Sequence, residues 1–107
     1  MRLDPMNPYR HAVETGIAYA HMRAERWEDA LRWAERALQS QPNTGNAARA
    51  IAISKAMMGQ FDEARQAVKK LLELDPEARI SNRPLLYVSA EFRARITDAL
   101  RKAGMPE

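Results

Sequence analysis

Trp27-Glu28-Asp29-Ala30 returns as Phe61-Asp62-Glu63-Ala64, 34 residues later, and the surrounding text keeps the same offset. Ile17-Ala18 pairs with Ile51-Ala52, Ala37-Leu38 with Leu71-Leu72, and Gln41-Pro42 with Asp75-Pro76. Pro8, Pro42 and Pro76 mark the same interval. A fixed period of this length means stacked copies of one supersecondary unit, each too small to bury its apolar face alone. The copies occupy residues 11–44 and 45–78.

The unit is helical. Phe61, Ala64, Val68, Leu71 and Leu72 recur at spacings of three and four, as do Trp27, Ala30, Leu31, Ala34, Ala37 and Leu38, which is one face of an α-helix. Small residues on these faces let helix backbones approach, and the large ones fill the space around them. Turns fall at residues 24–26 and 59–60, with Gly59 placed to end a helix in the left-handed conformation. Pro42 and Pro76 lack an amide donor and stop the second helices. The acidic pairs Glu28-Asp29 and Asp62-Glu63 open those helices, where the positive end of the dipole favours them.

After Pro76 the pattern changes. An irregular or short helical connector is expected over residues 77–88. Ser89 is a good N-cap for a helix over about residues 90–103 with the stripe Phe92, Ile96, Ala99, Leu100 and Ala103. Gly104 and Pro106 end it. Such a helix is expected to cap the last repeat, whose apolar face would otherwise meet water.

These residues resemble the tetratricopeptide repeat family, whose period is also 34. Ala18 and Ala52 match the family's small residue in the first helix, Ala30 and Ala64 the small residue opening the second, and Pro42 and Pro76 its closing proline. Leu71 is larger than the small residue matched by Ala37. Several family positions differ: Glu14 and Ala48 replace an early large apolar residue, His21 and Lys55 one aromatic, Ala34 and Val68 another. The resemblance implies one all-α domain: an α-solenoid of two helical hairpins (11–44, 45–78) with a connector and capping helix (79–107). Residues 1–10 resemble the closing turn of a preceding repeat.

The resemblance also implies a concave groove lined by the first helices. Carried over position by position, it holds Ala12, Thr15, Tyr19, Met22 and Arg23, then Asn46, Arg49, Ile53, Ala56 and Met57. The Lys, Asn and Arg clamp that some members use on a peptide C-terminus is absent, since Thr15, Tyr19, Asn46 and Ala50 stand there. A peptide or helix carrying apolar and acidic residues suits a groove of Tyr, Met and Arg. The plainer alternative is that Tyr19 and Met57 pack inside the stack and Arg23 and Arg49 are solvated. Residues 2–8 and 99–107 are similar, more loosely, to C-terminal repeat segments of bacterial adenylate-cyclase-like or winged-helix regulatory proteins.

A second expectation concerns the face of Val13, Ile17 and Ala20. A preceding repeat would normally cover it, so the chain is read either as the end of a longer protein or as a homodimer that covers this face itself. A third reading, nucleic-acid contact through Arg79, Arg83, Arg93, Arg95, Arg101 and Lys102, is the weakest. Net charge is only +3 and its excess is confined to the two ends, whereas a nucleic-acid binder concentrates charge on one face.

Catalysis is not expected. No phosphate-binding glycine loop is present. No cofactor is implied. There is no cysteine, and His11 and His21, ten residues apart, lack the spacing of zinc ligands. No stretch approaches the ~18 apolar residues of a membrane span, and residues 1–8 lack the apolar run of a signal peptide. A cytoplasmic protein is the expectation.

Overall fold

The computed structural model describes residues 9–80 and 89–107. Five α-helices account for most of them: α1 (Arg10–Arg23), α2 (Trp27–Ser40), α3 (Gly45–Met57), α4 (Phe61–Leu74) and α5 (Ala90–Lys102). Helices α1 and α2 form one antiparallel hairpin and α3 and α4 the next, with α3 seated between the two. Of the connector expected over residues 77–88, residues 77–80 are irregular and residues 81–88 lie outside the described residues.

Each hairpin closes on small side chains. Ala18, Ala30, Ala34 and Ala37 in the first, and Ala52 and Ala64 in the second, are completely buried. A methyl group at the crossing point lets the backbones approach until the larger residues on either side interlock. Glu28-Asp29 and Asp62-Glu63 lie in the first turns of α2 and α4, as the dipole argument required. Asp29 and Asp62 also face Arg32 and Arg65 one turn on, at 3.4 and 2.7 Å.

The turns between the helices of each hairpin use the same left-handed residue. Gly59 has φ 79°, and its counterpart one repeat earlier is Glu25, with φ 59°. Glycine adopts this conformation freely, whereas a side chain there crowds the backbone. Gly104, with φ 84°, ends α5 in the same way.

Helix α3 is buried nearly all round: Ala47, Ala48, Arg49, Ala50, Ile51, Ala52, Ile53, Ser54 and Ala56 are all inside. Its alanines answer to that crowding, since α1, α2, α4 and α5 all pack on it. Helix α1, with neighbours on fewer sides, buries only Glu14, Thr15, Ala18 and Met22.

Helix α5 begins as its sequence predicts: Ser89 Oγ accepts the Phe92 amide at 3.1 Å. Its buried residues are Ile96, Ala99 and Leu100, with Ala103 and Met105 just beyond. It lies chiefly against α3. Its C-terminal end is fixed where the Ile80 amide donates to Pro106 O at 2.9 Å. Its N-terminal end reaches the α1–α2 turn, where Phe92 stacks on Trp27.

Candidate functional site

Of the groove residues named above, Tyr19 and Asn46 are brought together where α1 meets α3. Tyr19 Oη donates to Asn46 O at 3.1 Å, tying α1 to the first turn of α3. Thr15 is 8% exposed, and its hydroxyl donates to His11 O at 2.7 Å, a bond that threonine commonly makes inside a helix. Met22 is buried, whereas Arg23 and Ala12 are exposed.

Helix α5 packs on α3. Ile53 and Ala56 are buried, and Met57 is half-buried. Arg49 is only 4% exposed, and its Nη2 donates to Arg79 O at 3.2 Å. A buried guanidinium is tolerable only when its donors are used. Thr15, Met22, Arg49 and Ile53 are thus interior, Tyr19 and Met57 form a half-buried edge, and Arg23 and Asn46 face solvent.

Four residues dock the N-terminal end of α5. The rings of Trp27 and Phe92 stack with centroids 6.0 Å apart and planes 17° apart, a favourable aromatic arrangement. Arg95 Nη2 lies 2.8 Å from Glu25 Oε1, and its guanidinium is 5.8 Å from the Phe92 ring centre. Reading the sequence places Trp27 and Phe92 in apolar stripes and Arg95 among the basic residues, without bringing them together. One signal was available: Glu25 stands where the other repeat has Gly59.

Val13, Ile17 and Ala20 lie on the opposite flank of α1. Val13 and Ile17 are half-buried and Ala20 is exposed, as is Tyr9 at the start of the helix. Their counterparts one repeat on, Ala47, Ile51 and Ser54, are buried, because α3 has α2 packed beside it. Next to this flank, Glu14 is buried between α1 and α2. Its carboxylate accepts a bond from Ser40 Oγ at 3.0 Å and lies 3.6 Å from Arg10 Nε and 3.3 Å from Arg36 Nε. The Arg36 guanidinium sits 4.6 Å over Trp33. The carboxylate occupies the family's large apolar position by pairing with these two cations.

A shallow groove of about 390 Å³ runs along the far side, between α2, α3 and α4. Leu38, Ala48, Ile51 and Ala67 line it, with Glu35, Glu63, Lys55 and Lys70 around them. Of the basic residues near the C-terminus, Arg95, Arg101 and Lys102 pair with Glu25, Glu107 and Asp98. The Arg79 guanidinium donates to Pro76 O and Ala78 O. Arg83 lies outside the described residues. His21 accepts a bond from Arg26 Nε at its Nδ1, 3.0 Å away.

A family model described as tetratricopeptide repeat matches residues 9–77. No curated protein matches the chain significantly. Among the described residues, no helix is long and apolar enough to cross a membrane.

Proposed function

This chain belongs to the tetratricopeptide repeat family, and from that premise we propose that it is a non-catalytic module holding a peptide or helix of a partner protein in its concave groove. Repeats of this family are in general protein–protein interaction modules. The observation that supports the reading is α5 itself: it packs on α3, the helix that carries Asn46, Arg49, Ile53 and Met57, as a helical ligand would. The partner's first contacts are Tyr19, Arg23, Asn46 and Met57, with Thr15, Met22, Arg49 and Ile53 supporting them from inside. A place within a regulatory or signalling assembly is part of the proposal, resting on the looser similarity of residues 2–8 and 99–107 described above.

The test is affinity capture from native cell extract, comparing the wild-type chain with a Tyr19→Ala, Arg23→Glu double variant that retains its helicity. Arg23 is chosen over Arg49 because a carboxylate at the buried Arg49 position would unfold the chain. A protein held by the wild type and lost by the variant supports the groove. The same proteins held equally by both overturns it.

A second reading is self-association through Val13, Ile17 and Ala20. It is favoured by the contrast with Ala47, Ile51 and Ser54, which a neighbouring helix buries. It requires a mass that rises with concentration and that Ile17→Glu returns to the monomer value.

A further inference from the structure

Helix α5 sits on the surface assigned above to a partner. The Ile80–Pro106 bond and the Arg49–Arg79 bond bring its C-terminal end near the first half of α3. Phe92 and Arg95 bring its other end to the α1–α2 turn. From N- to C-terminus it therefore passes from the α1–α2 turn of the first repeat to the first half of α3 in the second.

Its attachment is uneven. Within the helix Ile96, Ala99 and Leu100 are buried, as many residues as in α2 or α4, but all three lie from its middle onward. Ala103 and Met105 are buried beside the backbone anchor at Pro106. Among the described residues, the N-terminal end is held by an aromatic stack and by an ion pair whose side chains are 53% and 47% exposed. A pair so open to water contributes little to stability. Yet its carboxylate stands on Glu25, the non-glycine residue with positive φ. The turn thus keeps an acidic side chain where the equivalent turn has glycine, and that side chain reaches α5.

We infer that α5 is a detachable occupant of the groove, latched at its N-terminal end by Trp27–Phe92 and Glu25–Arg95, and that a partner helix of the same chemistry gains the α3 face by displacing it. The inference rests on the groove reading and adds the partner's class. Phe92, Arg95, Ile96, Ala99 and Leu100 lie at offsets of zero, three, four, seven and eight, one face of a helix. The partner is accordingly an amphipathic helix with an aromatic residue for Trp27, a basic residue one turn on for Glu25, and aliphatic residues over the next two turns. While α5 is docked, the partner's apparent affinity falls by the fraction of time the groove is open.

The experiment uses the full chain, wild type and Phe92→Ala, Arg95→Glu, with hydrogen exchange on each and a fluorescent peptide of residues 89–103 as probe. The variant is expected to lose at least tenfold protection in α5 while α1 to α4 keep theirs, and to bind the peptide at least tenfold more tightly than the wild type. Loss of protection through α3 and α4 as well would make α5 part of the core and overturn the proposal. Equal peptide affinity for the two chains, or no binding to either, would overturn it too. If partner capture proved insensitive to Tyr19 and Arg23 while the expected exchange and peptide results held, the groove-edge assignment alone would fail.

Discussion

Glu25 holds a left-handed backbone, φ 59°, that Gly59 holds without a side chain one repeat later. A residue with a Cβ gives up roughly 1 kcal/mol there relative to glycine, and the exposed pair with Arg95 returns about 0–1 kcal/mol. Glu25→Gly is therefore expected to leave denaturant stability unchanged or raise it by up to about 1 kcal/mol, while α5 amides alone exchange faster. A fall of more than about 1 kcal/mol would mean that the carboxylate outweighs the backbone. Glu14 has the opposite balance, with no exposed surface and two cations and a hydroxyl around it. Glu14→Ala takes the carboxylate from the buried Arg10 Nε and opens a small void, at a cost of about 2 kcal/mol measured by urea melting. The repeat showed that Glu14 departs from the family's apolar position; Arg10 lies one turn before it in the same helix, but Arg36 and Ser40 of α2 reach it only in three dimensions.

At the scale of the element, the helices were legible from their stripes, and α5 begins after Ser89 as its cap predicts. Ser89→Ala is expected to fray its first turn, at about 1 kcal/mol, seen as faster exchange confined to residues near Phe92. In α4, Leu71 is 1% exposed, and Leu71→Ala is expected to cost about 2–5 kcal/mol in thermal or denaturant unfolding. What the stripes did not reveal was where α5 docks. Phe92, Ile96, Ala99 and Leu100 announce a buried face, but an apolar stripe carries no address. The address comes from partners remote in sequence: Trp27 and Glu25 at one end and Ile80 at the other. For the same reason Arg49 and Ile53 could not be recognised as interior until α5 was seen packed on α3.

For the whole molecule, two surfaces compete as the place of assembly. The flank of Val13, Ile17 and Ala20 is less covered than its counterpart in the second repeat, and mass measured over a wide concentration range reports on it directly. The proposed groove would offer Tyr19, Arg23, Asn46 and Met57 beside the proposed latch of α5. The central claim is that a partner is held on the concave side, and site-specific photo-crosslinking tests it most directly. A crosslinking amino acid would be placed at Tyr19 on that side or at Gln66 beside the far groove, in the full chain exposed to native extract. The account predicts a partner adduct from position 19 that is missing from position 66. Adducts from position 66 alone, or adducts from position 19 containing only a second copy of the chain, would contradict it.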